Sequence, residues 1–460
     1  MIRRLMHGKQ VWRLLTGLAL LAVTLAITLF VQRDVIRLGA QGYVFGYPLV
    51  MMDITRASFI NNDKQTNQLV HASRFPDSSF QNVVRPNVDT LYSAAWLDLA
   101  NEPLVLDIPA IQRYYIVQLL DGWTNVFASL GPRTSGSTAG RFLITSPTWR
   151  GEAPAGMTLL RAPTTMAWLL GRVQTNGVDD YANVHRIQQK IHLTPLSQWQ
   201  AGKKNRANIP GFTAQDALPP LFQMRALSAT AFFTRLQRLL QDNPAQTQDK
   251  QALAGLAQLG LHPGQPMPTW SAWQTKMVGF GIWLAERKLQ QALNDARRLN
   301  AGWRQPPMSI GSYAQDYGLR AGVAMIGLGA NLPEDAVYSN AQQDNNGEPL
   351  QGGRRYQLHF TAEQLPPVQA FWSLTAYNND GFLIANPLDR YALGDRDTLH
   401  FNTDGSLDIV LQNTTPETAS DNWLPIPASG TFSITARLYW PAAEVLNGSW
   451  RIPGIQPVDP

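Results

Sequence analysis

Asp89-Thr90-Leu91-Tyr92-Ser93 returns as Asp335-Ala336-Val337-Tyr338-Ser339, and the flanks of the two stretches return with it. A Gly, Ala and aromatic stretch precedes each copy (Gly39–Asp53 and Tyr313–Ala330). An apolar, strand-like run follows each (Pro103–Pro109 and Tyr356–Phe360), then an aromatic-rich run (Tyr114–Leu120 and Phe371–Tyr377). Farther on, Arg161–Val173 loosely matches Leu424–Leu438, which aligns Arg172 with Arg437. Self-similarity decides architecture before local pattern does. Here it predicts two related domains, with any site in equivalent clefts or between them.

Local periodicity fills in the elements. From Leu91 to Arg172, short apolar runs alternate with Gly, Pro and Ser turns. Leu91–Leu97, Leu104–Ile108, Tyr114–Leu120, Phe127–Leu130, Arg141–Thr145, Thr158–Arg161 and Ala167–Val173 read as strands. After Thr175 the period becomes helical, over Asp179–Ile191, Ala226–Gln241, Lys250–Leu259 and Ser271–Leu299. Trp270, Trp273 and Trp283 are expected to fill a core there. Strand patterns come back at Tyr356–Phe360, Phe371–Tyr377, Leu383–Ile384, Leu399–Asn402, Leu407–Gln412 and Phe432–Trp440, with Pro416–Ser429 as a polar loop. Gly39–Phe59 reads as a helix, with Tyr43 and Tyr47 one turn apart and a bend at Pro48. The expected fold is mainly β with a helical module: two related jelly-roll-like β-sandwich domains after an N-terminal transmembrane helix. The expected boundaries are 1–37 for tail and anchor, 38–178 and 311–460 for the β domains, and 179–310 for the helices.

The chain has 460 residues, more than a single core usually holds. Its formal charge of +5 tempts a nucleic-acid reading. All of that excess sits before Asp34, in Arg3, Arg4, Lys9, Arg13 and Arg33, so the rest of the chain is neutral. Without a basic face, nucleic acid is not an expected partner. The absence of cysteine excludes disulfides, thiolate metal sites and cysteine nucleophiles. Leu14–Val31 is an uncharged run of 18 residues preceded by basic ones. It is long enough for a bilayer core and lacks a small-residue cleavage site. The expectation is a single-pass inner-membrane anchor with the bulk of the chain in the periplasm. The alternative is a cleaved signal and a periplasmic or secreted product.

Candidate chemistry gathers in Arg85-Pro86-Asn87-Val88-Asp89-Thr90-Leu91-Tyr92. With Pro86 holding Arg85 extended, Arg85, Asn87 and Asp89 share one face and come within salt-bridge reach of one another. A guanidinium, an amide and a carboxylate together suit a sugar hydroxyl or a substrate carboxylate. Asp121 and Trp123 follow a matching strand and offer a carboxylate and an aromatic face. Arg85, Asn87, Asp89, Tyr92, Asp121 and Trp123 are therefore the ligand-binding candidates, and Asp89 and Asp121 the candidate general bases. A structural Arg–Asp pair and a hairpin turn at Asn379-Asp380-Gly381 are the plainer readings. Seven scattered histidines give no metal motif, and no phosphate loop, dinucleotide fingerprint or Gly-x-Ser-x-Gly occurs, so no metal or cofactor is expected.

Two signatures carry a family resemblance. Arg85–Tyr92 with Tyr115-x-x-Gln118-x-x-Asp121-Gly122-Trp123 is similar to a bacterial envelope family's domain of unknown function 1254. Tyr356-x-Leu358-His359-Phe360, Ala370–Asn378, Gly394-Asp395-Arg396-Asp397 and Arg437–Pro441 resemble domain of unknown function 1214. The resemblance implies jelly-roll sandwiches, export and oligomers, and no established activity. The leading expectation is binding of a small polar molecule or glycan in the periplasm. A glycoside-type hydrolase with an Asp general base, and a structural or assembly factor of the envelope, are the alternatives.

Overall fold

The computed structural model describes residues 15–16, 30–60, 65–81, 84–203, 218–293, 299–418 and 422–458. The run Leu14–Val31 lies outside them except for Leu15, Thr16, Phe30 and Val31. Among the described residues, no helix is long and apolar enough to cross a membrane.

The first long element is α1, Arg33–Ile60, which holds Pro48 within it. It is buried over most of its circumference, as only a central helix can be. Unit one follows, with strands β1 (Val70–His71), β2 (Thr90–Asp98), β3 (Leu104–Ile108), β4 (Tyr115–Asp121), β5 (Val126–Leu130), β6 (Gly140–Thr145), β7 (Thr158–Arg161), β8 (Met166–Gln174) and β9 (His192–Pro195). Helices α2 (Tyr181–Gln188) and α3 (Leu196–Gln200) flank β9. Next come α4 (Pro220–Arg225), α5 (Ala229–Asp242), α6 (Lys250–Gln258) and α7 (Ala272–Leu293). Unit two opens with β10 (Leu299–Asn300) and β11 (Trp303–Arg304), then α8 (Tyr317–Ile326) and β12 (Ala336–Ala341). It continues with β13 (Arg355–Phe360), β14 (Val368–Asn378), β15 (Ala392–Gly394), β16 (Leu407–Gln412), β17 (Asn422–Pro425), β18 (Phe432–Pro441) and β19 (Gln456–Val458).

The two units share a strand order. Unit one pairs a β1-β2-β8-β4-β5 sheet with a β7-β6-β3-β9 sheet. Unit two pairs β11-β12-β18-β14-β15, extended by β10, with β17-β16-β13-β19. Even the exception repeats: β6–β7 and β16–β17 are parallel, while the other pairs are antiparallel. Registers agree as well, since Tyr92 faces Arg172 and Tyr338 faces Arg437. Within each unit the two sheets close on one apolar cluster.

Two glycines show how closely the copies match. A Cβ on Gly394 would lie 2.1 Å from the Trp372 carbonyl oxygen, and one on Gly131 would lie 2.5 Å from that of Tyr115. Tyr115 and Trp372 hold the same place in the aromatic repeat. Any side chain at either glycine must push β4 from β5 or β14 from β15. Gly131→Ala and Gly394→Ala are each expected to cost roughly 1–3 kcal/mol, the usual range for overpacking, with Gly394→Ala the larger. Urea midpoints check this, and an unchanged midpoint in both would remove the constraint.

Several expectations need correction. Helix takes about 30% and strand 27%, so the chain is mixed rather than mainly β. The helical core draws on α1 and α8 as well as on α5, α6 and α7, so boundaries at 38 and 311 cut through one packed body. Trp273 and Trp283 are 45% and 46% exposed, not core. The face of α7 that packs is Met277, Val278, Gly281, Ala285 and Leu289, small enough in the middle to let α1 close in. Leu399–Asn402 forms no strand, and β17 lies in the stretch expected to be loop.

Candidate functional site

Side-chain alternation gives each large sheet a second face. Leu91, Ala95, Leu169 and Val173 point into the core of unit one. Tyr92 and Arg172, one residue out of phase with these, point away from it. The same holds for Tyr338 and Arg437 in unit two. The two outward faces meet, and Tyr114, Ile116, Ala336, Phe371 and Tyr439 form an apolar cluster across the seam.

A polar arrangement repeats on either side of that cluster. Arg172 donates to Gln118 Oε1 (2.9 Å) and to the Gly329 carbonyl (3.1 Å), with its guanidinium 4.9 Å from the Tyr92 ring centre. Arg437 donates to Thr375 Oγ1 (2.8 Å), to Tyr377 Oη (2.6 Å) and to the Arg85 carbonyl (3.2 Å), 5.3 Å from the Tyr338 ring. Each arginine thus reaches a main-chain carbonyl of the other unit's leading arm.

The repeated aspartates clasp the units reciprocally. Asp89 is fully buried and ion-paired with Arg396. Its Oδ2 accepts from Ser373 Oγ (2.7 Å) and Tyr439 Oη (3.0 Å). Arg396 also donates to the carbonyls of Asp89 (3.1 Å) and Thr175 (2.9 Å). Asp335 returns the contact, accepting from Ser129 Oγ (2.6 Å) and Arg133 Nε (2.7 Å) of unit one. Arg133 stands two residues after Gly131, as Arg396 stands two after Gly394. That shared offset is a signal in the sequence that would have exposed both arginines.

Arg85 does not pair with Asp89. Its φ is +52°, so it is left-handed, not extended, and the shared face expected for Arg85, Asn87 and Asp89 does not form. Tertiary contacts override the preference of a residue before proline. Arg85 N donates to the Gly381 carbonyl (2.7 Å), and Nη1 to Thr435 Oγ1 (3.0 Å). Its guanidinium lies 5.5 Å from the Tyr377 ring, the ring that Arg437 flanks at 5.7 Å. Burial first, then the neighbouring Arg437, hold Arg85 below the usual arginine range. Asn87 caps its own turn, accepting from Asp89 N (2.7 Å) and Thr90 N (3.1 Å) and donating to Tyr439 Oη (2.8 Å).

Among the described residues, Arg85, Arg172 and Arg437 have no carboxylate within salt-bridge distance. Tyr338 lies in the field of Arg172, Tyr92 and Arg437. Arg85, Asn87, Tyr92, Tyr338 and Asn340 are half-buried along this seam.

Asp121 and Trp123 lie elsewhere. Thr90, next to Asp89, faces Gln174, while Asp121 faces Ala167 at the other end of β8. Seven residues of strand separate them, roughly 23 Å at about 3.3 Å per residue. Asp121 Oδ1 accepts from Trp123 N and Asn125 N, both at 2.9 Å, and burial pushes its carboxyl up to about 6. Trp123 is fully buried, with its ring 4.8 Å from Phe45 and Nε1 donating to the Pro244 carbonyl (3.1 Å). Arg320, which no sequence pattern singles out, sits in an aromatic box of Trp123 (5.1 Å), Tyr317 (5.2 Å) and Phe45 (5.8 Å). Among the described residues none of its guanidinium nitrogens has a hydrogen-bond partner, and Asp249 and Asp121 supply compensating charge. Inside unit two, a void of about 10 Å³ lined by residues such as Phe360, Trp372, Leu374 and Trp450 has room for one water at most.

Residues 66–195 match the family model described as Protein of unknown function (DUF1254), and residues 335–443 match DUF1214. A search of curated proteins finds no match. Among solved structures, the VPA0106 protein from Vibrio parahaemolyticus aligns over 92% of this chain and 100% of its own, at 24% identity and a TM-score of 0.70. An uncharacterised protein from Burkholderia cenocepacia aligns over 93% and 94%, at 14% identity and a TM-score of 0.43. The first likeness is one of fold.

Proposed function

For a chain in which a DUF1254 domain precedes a DUF1214 domain, we propose binding of a small anionic ligand at the seam between the two jelly-roll-type units. The carrying observation is that, among the described residues, Arg85, Arg172 and Arg437 have no carboxylate within salt-bridge distance, and only Arg437 feels the more distant charge of Asp89. Buried or half-buried guanidinium groups are costly without a counter-charge. Two of them flank one tyrosine ring, so their mutual repulsion adds to that cost. A carboxylate or acidic sugar beside Tyr92 and Tyr338 would relieve it through charge-assisted hydrogen bonds. The aromatic faces would cover the ligand's apolar part. Of the residues expected from sequence, this retains Arg85 and Tyr92 as ligand contacts and Asn87 and Asp89 as their supports. It leaves out Asp121 and Trp123. The hydrolase alternative has less support, because Asp89 and Asp121 are buried and each of their oxygens accepts from a fixed protein donor. The proposed setting is the periplasm, with Leu14–Val31 as anchor.

Thermal melts with a panel of small carboxylates, uronic acids, phosphate and neutral sugars test this. Anionic compounds are expected to raise the melting temperature and neutral sugars to leave it unchanged. Arg85→Gln, at a partly buried position with no carboxylate to strand, is expected to fold and to weaken that response at least tenfold in ligand concentration, about 1.4 kcal/mol. Equal responses to neutral and anionic compounds, or an unaltered response in Arg85→Gln, would remove the proposal.

A further inference from the structure

We infer that the outer face of α7 rests on a lipid surface carrying anionic headgroups. This rests on the reading of Leu14–Val31 as an anchor. The buried side of α7 packs on α1, where a Cβ on Gly281 would lie 2.3 Å from the Ile36 carbonyl oxygen and one on Gly39 would lie 3.0 Å from Val278 Cα. The opposite side presents Lys276, Phe280, Trp283 and Arg287, with Trp273 at its edge. Trp283 is 46% exposed and stacks on Phe280 with centroids 5.5 Å apart. The Arg287 guanidinium covers that ring at 4.8 Å. Aromatic rings interleaved with cations are the chemistry of the bilayer interface, where rings sit at headgroup depth and cations meet phosphates. The single carboxylate of α7, Glu286, is engaged by Tyr43 Oη at 2.7 Å. The face therefore offers lipid Lys276, Arg287 and Lys288 with no free acid on the helix.

Position supports the same occupant. The crossing at Ile36 lies five residues after Val31, roughly 8 Å at about 1.5 Å per helical residue. Phe30 and Val31 are 65% and 66% exposed, and Arg33 lies over the Phe30 ring at 4.6 Å. An anchor ending at Val31 would bring the membrane surface within about a helix diameter, roughly 10 Å, of α7.

The chain has no cysteine, so a single label can be placed without other changes. Full-length Trp283→Cys, and Phe401→Cys in unit two as control, carry a bimane label and are mixed with phosphatidylcholine vesicles containing nitroxide lipid, with and without phosphatidylglycerol. Flotation reads the anchor, and quenching reads the face. Quenching at position 283 is expected to be several-fold stronger than at 401 and to increase with phosphatidylglycerol. A Lys276→Glu, Arg287→Glu, Lys288→Glu background should lose that increase while still floating. If the chain floats but position 283 is quenched no more than 401, the inference fails and the anchor stands. If nothing floats, both fail. A 283 signal that changes with protein concentration and not with lipid would assign the face to a second copy and overturn the inference.

Discussion

Asp89→Ala is expected to cost roughly 3–5 kcal/mol of folding stability, the range for stranding one member of a buried ion pair. Asp89 has no exposed surface, and its side chain holds Ser373 Oγ, Tyr439 Oη and the Arg396 guanidinium. Arg396 is only 14% exposed, so it has little water to turn to once the carboxylate is gone. The pseudo-symmetric Asp335→Ala should cost less. Its partner Arg133 is 28% exposed and can swing outward, leaving chiefly the lost bond from Ser129. Asp89→Asn keeps an acceptor for Ser373 and Tyr439 and removes the charge, so it should fall between. These contacts join the two units, so Asp89→Ala should also broaden or split the unfolding transition. Urea denaturation followed by tryptophan fluorescence reads both effects. A loss below about 1 kcal/mol, the value of an exposed pair, would mean that Asp89 does not clasp the units.

What was legible in the sequence follows the range of the forces involved. Leu104–Ile108, Thr158–Arg161 and Leu407–Gln412 are strands with the bounds that pattern alone predicts, because apolar runs between turn residues are a local signal. The repeated Asp-x-x-Tyr-Ser motif points to matching strands for the same reason. The partner of Asp89 is not local: Arg396 lies 307 residues away in a stretch that reads as a charged turn. Asn422–Pro425 reads as part of a polar loop, yet all four residues are buried because β16 and the neighbouring loops cover them. Helical period found α7 but ran it on to Leu299, where β10 begins, and did not show which stripe is buried. The rule of large rings inside failed because α1 approaches so closely that only small residues fit between the helices. Arg85 shows the same limit at one residue, where bonds to Gly381 and Thr435 outweigh the local bias that Pro86 imposes.

His71→Asn is expected to steepen the fall of stability with rising pH between about 4 and 6. Burial pushes the folded pKa of His71 down to about 4 from 6.5. Within that window the unfolded chain binds a proton that the folded chain refuses, so the His71 contribution is complete above pH 6.5 and is lost as pH falls toward 4. At about 1.4 kcal/mol per pKa unit, the change amounts to roughly 3 kcal/mol. Asp121 and Asp395 act in the opposite direction. Burial pushes both carboxyls up to about 6 from 3.8, so the folded chain holds protons that the unfolded chain has released. Their contribution is most favourable at the acid end and is lost as pH rises through that window. At the same value per unit the two aspartates together amount to roughly 6 kcal/mol, so the histidine offsets about half of their effect and the native profile falls gently as pH rises. In His71→Asn an amide takes over the bond to Ser93, held at 2.7 Å by the imidazole, and the aspartates act alone. Its melting temperature should fall as pH rises from 4 to 6. Asp121→Asn, which keeps an acceptor for the Trp123 and Asn125 amides, should tilt the profile the other way. Melting curves taken across this range on the three proteins decide the matter. Parallel profiles would show that neither His71 nor Asp121 changes its proton affinity on folding, and that the buried side of β2 and the β4 turn are wetter than their packing implies.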